Sequence, residues 1–370
     1  MRIGRWLNIG CVPVGFFVLA LAVLSPAAQA QRQRLADAIV SNPGPLPSQA
    51  TDAIETYVKT WAGQLLAAES DKQIIEARQQ LLEPVQRQAP VQTTDVVRDA
   101  VARATAAMLK PVVKNQSDLA RMNAMIVLAQ MPTGDSAPTL ATGLADQNRG
   151  IRYWAAKAVA EVSKFAQPGQ SPFSNTQQES LLTALNKVMP TETSAMVLEQ
   201  MYRALGSLTI PAAQKSLLDI LDQRIKLHVK QVSPGLRADA KGINNLYSRL
   251  IVQQAVGNNV NPALRQLTAV SGKYLLVVAK GLQADKVEQD LVPVCMELIQ
   301  VVDDIFSNML KQFDPNHMPG PSLVAAARSS QFPVLLLNTL DWVGDSSQNK
   351  PGILSTSQIS IPVEDLTLPK

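Results

Sequence analysis

Enzymatic chemistry needs nucleophiles, bases or metal ligands at workable spacing, and this sequence offers few. Its two histidines, His228 and His317, are far apart. One lies in a Lys/Arg-flanked stretch and the other in a Pro/Gly-rich one. No HExxH or CxxC spacing accompanies either, so no zinc set is expected. No GxxxxGK[ST] or GxGxxG loop is present to cradle a phosphate, and no GxSxG elbow presents a serine nucleophile. Ser347 and Lys350 match an SxxK pattern by letters, but a serine-lysine pair belongs at the start of a buried helix. Pro351 and polar surroundings contradict that here. Asp303 and Asp304 are adjacent, so on a helix their side chains diverge by about 100°. They read as a solvated face, not a proton-sharing pair. The expectation is a non-enzymatic chain with no catalytic residue, no metal and no cofactor.

The N-terminus predicts export. Arg2 and Arg5 are followed by the apolar run Val14–Leu24 and by Ala28-Gln29-Ala30, the tripartite pattern of a signal peptide. The run is shorter than the roughly 20 apolar residues of a membrane span. Residues 1–30 are therefore expected to be removed, with the mature chain starting near Gln31, periplasmic or secreted. Membrane contact is expected only if the segment stays uncleaved. Cleavage removes Cys11, leaving Cys295, which reads as a buried inert thiol. It also takes the formal charge from +4 to +2. So small an imbalance is not the strong positive field expected of a nucleic-acid binder, which argues against nucleic acid as a partner. Asn115-Gln116-Ser117 is a glycosylation sequon.

Residues 31–50 read as a flexible linker, and helical periodicity runs through 51–343. Capping-box spacing appears at Ser70/Gln73 and at Thr176/Glu179. Aromatics are only 4% of the chain. No Asn-Gly or Asp-Gly hairpin signal sits between alternating apolar runs. The expected class is all-α. The most informative segment is Ala137–Val162, a short helix, a polar turn at Asp146–Gly150, and a second helix. On that second helix Ile151, Ala155, Ala158 and Val162 share one face. Ala120, Ala124, Val127 and Met131 repeat the spacing, with Arg121 standing where Arg152 stands. Val197, Met201, Ala204 and Leu208 repeat it again. Partner helices precede each set at Val96–Val113, Pro138–Ala145 and Gln178–Met189. Serial helix pairs of this period are a repeat signature.

At these residues the chain resembles the HEAT-repeat family, most closely over 137–162 and more loosely over 96–208. The resemblance implies an α-α superhelix of about four or five stacked pairs. It also implies that Arg121, Asp146 and Arg152 form a polar ladder between repeats. Glu192 and Leu198 depart from the family's aspartate and arginine in the third unit. Beyond Leu208 the pattern loosens into divergent helices over 209–343. Expected there are Pro211–Val229, Leu236–Val256, a stripe from Leu264 to Gly281, a long helix Lys286–Phe313 and a last helix Ser322–Val343. The stripe on Lys286–Phe313 suits pairing within the chain or across a dimer seam, with the first preferred for its wide apolar face. Residues 344–370 read as a poorly ordered tail.

Two surface features point to partners. Arg149, Tyr153 and Trp154 cluster at a repeat turn, and such residue types anchor protein interfaces. Arg224, Lys226, His228, Lys230, Arg237 and Lys241 form a basic cluster over 224–241, suited to an acidic envelope polymer. The leading expectation is an exported scaffold that binds another protein on the concave face of the stack. The alternatives are an envelope-acting hydrolase or lyase, and a self-assembling structural protein.

Overall fold

A computed structural model of the chain describes residues 34–87, 91–131, 133–164, 171–316, 318–357 and 359. The expected signal segment 1–30, its cleavage point before Gln31, Cys11, His317 and the end of the tail at 360–370 lie outside the described residues. From Leu35 on the chain is one compact unit.

The fold is all-α. Among the described residues there are 16 α-helices. They are α1 (Asp37–Val40), α2 (Ser48–Ala67), α3 (Asp71–Gln86), α4 (Asp95–Leu109), α5 (Asp118–Leu128), α6 (Ala137–Leu144), α7 (Arg149–Ser163) and α8 (Asn175–Val188). They continue as α9 (Ala195–Ser207), α10 (Pro211–Arg224), α11 (Leu236–Ala255), α12 (Asn261–Gln283), α13 (Val292–Phe313), α14 (Leu323–Arg328), α15 (Phe332–Val343) and α16 (Ile353–Thr356). Strand is confined, among these residues, to a short antiparallel pair, β1 (Gly344–Asp345) with β2 (Lys350–Pro351).

Two packing patterns organise the helices. Consecutive helices pair, from α2 with α3 through α12 with α13. The second helix of each pair also packs on the second helix of the next, in an unbroken row α3, α5, α7, α9, α11, α13. First helices do the same for α2 with α4, α6 with α8, α8 with α10, and α10 with α12. The step from α4 to α6 runs through the 3-10 turns Lys110–Lys114 and Gly134–Ser136. This pattern runs from α2 to α13, well beyond the 96–208 where the sequence repeats itself.

The repeated spacing has a packing cause. Ile151, Ala155, Ala158 and Val162 are buried, as are Ala120, Ala124, Val127, Met131, Val197, Met201, Ala204 and Leu208. An alanine at one or both middle positions of each set, Ala155, Ala158, Ala124 and Ala204, lets neighbouring second helices approach closely, and the larger apolar side chains fill the remaining space. Each fully buried Leu, Val or Ile contributes about 1.5–3 kcal/mol relative to exposure. The stripe on α13 is covered inside the chain: Val294, Leu298 and Ile305 are buried together with Cys295, Val302 and Phe306, against α11, α12 and α14. Burial pushes the Cys295 thiol up to about 12, which keeps it protonated and unreactive.

Several boundaries differ from expectation. The segment read as a linker carries α1, with Leu35 and Val40 buried. Arg87 holds it, pairing with Asp37 at 3.0 Å and donating to the Leu35 carbonyl. The expected single helix Ser322–Val343 is two helices. Ser330 takes φ +55° after α14, and the amides of Ser330 and Gln331 close the helix end on the Ala327 and Ala326 carbonyls. Pro333, in the first turn of α15, lacks an amide hydrogen and could not continue the earlier helix. The long helix starts at Val292, after a 3-10 turn at Gln289–Leu291, not at Lys286. The cap at Ser70 is as read. The cap of α8 is Ser174 with Gln177, two residues before the expected Thr176/Glu179. Both frames share the spacing, and burial of Phe173 beside the cap selects the earlier one. Beyond α15, Leu354 and Ile359 are buried, so the described part of the expected tail packs on the fold.

Candidate functional site: an arginine relay and the surface of the second-helix row

The turns between paired helices share one construction. Asn115, Asp146 and Glu192 each lie two residues before the N-cap of a second helix, and each side chain accepts the amide of that cap residue: Ser117, Asn148 and Ser194. Four residues after the cap stand Arg121 and Arg152. Each arginine spans two successive helix pairs. Arg121 donates to the Asn115 carbonyl of its own turn at 2.6 Å and pairs with Asp146 of the next turn at 3.0 Å. Arg152 donates to the Asp146 carbonyl at 2.9 Å and pairs with Glu192 at 2.7 Å. The expected ladder residues Arg121, Asp146 and Arg152 are thus brought together, although Arg152 meets the Asp146 backbone and gives its charge to Glu192.

In the next unit Leu198 occupies the arginine position and leaves the Glu192 carbonyl without its donor. Arg224, at the end of α10, supplies it. Its Nη1 donates to the Glu192 and Met189 carbonyls at 2.8 and 2.7 Å, and its Nε pairs with Asp239 at 2.7 Å. Asp239 lies four residues after the α11 cap, Gly235, where the earlier units carry arginine. The relay therefore continues with its charges exchanged between helices. A Cβ on Gly235 would stand 2.7 Å from Arg224 Nη2, so glycine is needed there for close approach.

This last rung is fully buried. Asp239 also accepts from Tyr202 Oη at 2.7 Å and from His228 Nε2 at 2.9 Å. His228 Nδ1 accepts the Ser233 amide at 3.3 Å, which puts the proton of a neutral ring on Nε2. The Ser233 hydroxyl lies 3.2 Å from the same Nδ1. Serine, histidine and aspartate are therefore aligned, but Asp239 is shared with Arg224 and Tyr202, which weakens its pull on the imidazole. Burial pushes the Asp239 carboxyl up, and the His228 bond and Arg224 charge outweigh it, leaving it below the usual carboxylate value. Glu192 is likewise lowered, because Arg152 and the turn amides outweigh its burial.

The expected basic cluster over 224–241 is not one surface. Arg224 and His228 are buried in the relay, while Lys226, Lys230, Arg237 and Lys241 remain exposed. Ser347 donates to Asp345 and Lys350 pairs with Asp341, so the SxxK letters make no dyad. Asp303 accepts the Leu323 amide at the start of α14, and Asp304 accepts from Gln300. Asp303 is thus half-buried rather than on a solvated face. Asn115 of the sequon donates its side-chain nitrogen to the Leu66 carbonyl. Among the described residues no His/Cys/Asp/Glu group is placed to hold a metal ion. None of their helices is long and apolar enough to cross a membrane.

On the outer surface of α7, Tyr153 and Trp154 meet edge to face with centroids 5.5 Å apart, and Lys157 Nζ lies 4.5 Å over the Trp154 ring. Both aromatics are half-buried and Arg149 is exposed. No family model and no curated protein matches the chain. Met196 near the start of the neighbouring α9 is 71% exposed, and Val252 near the end of α11 is 64% exposed. Sequence reasoning missed these, as it missed Arg224, Asp239 and Tyr202.

Depressed carboxylates stabilise above their ordinary values, 3.8 for Asp239 and 4.5 for Glu192. That stability is lost as pH falls through the lower values of the folded state. The melting temperature is therefore expected to fall steeply on acidification below about pH 4.5, and less steeply in an Asp239→Asn variant, whose neutral-pH stability is already reduced. Parallel pH slopes for the two proteins would contradict this account.

Proposed function

We propose that the chain is an exported, non-enzymatic scaffold with a HEAT-like α-α superhelix, and that it binds another protein on its second-helix row. The observation that carries this reading is the group of surface side chains on the N-terminal halves of the neighbouring helices α7 and α9: Arg149, Tyr153, Trp154 and Met196. Rigid aromatic and methionine side chains at a surface held by packed helices are the usual anchors of protein interfaces. The HEAT likeness takes support from the uninterrupted second-helix row and from the arginine that bridges turn to turn. In this reading the exposed side of that row forms the concave face of the stack, the usual binding surface of such superhelices. Export rests on residues 1–30 alone.

The test is partner capture by the purified protein from an extract of its source. Trp154→Ala and Met196→Ala are expected to abolish recovery of one reproducible partner and leave the chain folded, while Lys187→Ala on α8 leaves recovery intact. Loss with Lys187→Ala but not with Trp154→Ala would place the interface on the other row. The hydrolase alternative takes its support from the Ser233–His228–Asp239 alignment. A fluorophosphonate probe that left Ser233 unlabelled would remove that support.

A further inference from the structure

The outer faces of α7, α9 and α11 differ in charge from the chain as a whole. They carry Arg149, Lys157, Arg203, Arg237, Lys241 and Arg249, and Lys164 follows α7 directly. The acids among them are Glu161 and Glu199, since Asp239 is buried in the relay. Glu161 is shared, pairing with Lys164 at 2.7 Å and Arg203 at 3.6 Å, and Glu199 pairs with Lys241 at 2.9 Å. A chain whose total charge is nearly balanced thus concentrates uncompensated cations on three neighbouring helices.

A cavity of about 340 Å³ opens on the same row, within the roughly 300–1,000 Å³ of ligand pockets. Its apolar lining includes Ala160, Leu217, Leu246 and the Tyr202 ring, and its polar lining includes Arg203 and Arg249. Arg249 is fixed by one bond, from Nη1 to the Gly206 carbonyl at 2.9 Å. Its Nε is buried with no hydrogen-bond partner, and among the described residues no carboxylate pairs with it. Burial lowers its pKa below the ordinary arginine value, as expected for a desolvated cation without a counter-charge. A half-buried arginine without a counter-charge, set beside an apolar floor, forms a half-site for a carboxylate on an apolar body.

We infer that this pocket and the basic face around it receive an acidic segment of a partner protein, one that alternates carboxylate and aliphatic side chains. A carboxylate meets Arg249 and Arg203, and an aliphatic neighbour fills the floor against Leu217 and Leu246. Simple polyanions satisfy the charge but leave the apolar floor empty, which favours a peptide over nucleic acid. The inference rests on the proposed docking role of this row and assigns the chemistry of the partner.

The experiment is fluorescence anisotropy on the full chain with two labelled peptides, an alternating Glu-Leu decapeptide and its Gln-Leu counterpart. The Glu peptide is expected to bind at least about tenfold more tightly, a difference of about 1.4 kcal/mol. Arg249→Gln and Arg203→Gln should each erode that preference, while Lys215→Gln on α10 should not. Arg249→Lys keeps the charge and serves if the glutamine variant fails to fold; it should retain part of the preference. Equal affinity for the two peptides would overturn the inference. So would a double-stranded DNA fragment that outcompetes the Glu peptide in an Arg249-dependent way. If the peptide preference is absent while Trp154→Ala still abolishes partner capture, the pocket assignment fails and the docking row stands.

Discussion

Replacing Arg224 with leucine is expected to lower stability by about 3–5 kcal/mol, the typical effect of removing one partner from a buried ion pair. The change strips Asp239 of its neutralising charge inside a fully buried site and takes the donor from the Glu192 and Met189 carbonyls. Arg224→Lys should recover only part of the loss. One ammonium keeps the charge, but it lacks the planar fork that reaches a carboxylate and two carbonyls at once. Lys226→Leu, two residues away on an exposed position, should stay within about 0.5 kcal/mol of the parent. Urea unfolding of the three variants checks the ranking. With an unfolding entropy of about 2.1 cal/mol/K per residue, a chain of this length shifts by about 1.4 °C per kcal/mol, so the Arg224→Leu melting temperature should fall by about 4–7 °C. Near-equal effects at 224 and 226 would mean that the buried rung adds no stability.

Glu192→Ala is the second large expected effect. The Glu192 side chain is 2% exposed and Arg152 is 16% exposed, so the pair is screened far less than a surface ion pair. Truncation removes the partner of Arg152 and the acceptor of the Ser194 amide together. A loss of about 2–3 kcal/mol is expected, since hydrogen bonds to charged groups contribute about 1.5–3 kcal/mol. A double-mutant cycle with Arg152→Ala should return a coupling of about 1–3 kcal/mol. The Lys215–Asp219 pair on α10, exposed on both sides, should return no measurable coupling. Strong coupling there and none at Glu192 would contradict the idea that one helix pair is tied to the next through its turn.

The sequence made the central helix pairs legible because local patterns dictate them. Apolar steps on α5, α7 and α9 repeat, and Arg121, Asp146 and Arg152 sit at fixed offsets from capping residues. Glu192 read as a departure, yet its longer side chain accepts the same cap amide and meets the same kind of arginine. Residue identity misled there, while its offset from the Ser194 cap was informative. Arg224 and His228 read as surface cations because lysines flank them. Their spacing said otherwise: Ala213, Leu217, Leu221, Arg224 and His228 follow one helical stripe, and all five are buried. The partners of that stripe, Asp239 and Tyr202, come from other helices, so no local pattern could join them.

The same division holds for the surface. Trp154 and Tyr153 were visible as interface types on their own helix. The Arg249 pocket was not, because it forms only when α9 and α11 lie side by side, and Arg249 is then desolvated without a carboxylate. The helix break at Ser330 was legible in principle, since Pro333 follows within a turn. The apolar stretches on either side, Leu323–Ala327 and Phe332–Leu337, made the two helices read as one.

Docking on the second-helix row is the central claim, and photo-cross-linking addresses it while the partner's identity is still open. A photoreactive phenylalanine analogue would replace Met196 on α9 or, as the comparison, Met108 on α4 of the first-helix row, which is 37% exposed. After irradiation in an extract of the source and identification of adducts by mass spectrometry, position 196 is expected to yield one recurrent protein whose linked segment is rich in Asp or Glu, and position 108 is expected to yield none. Adducts formed equally at both positions, or at 108 alone, would contradict the account.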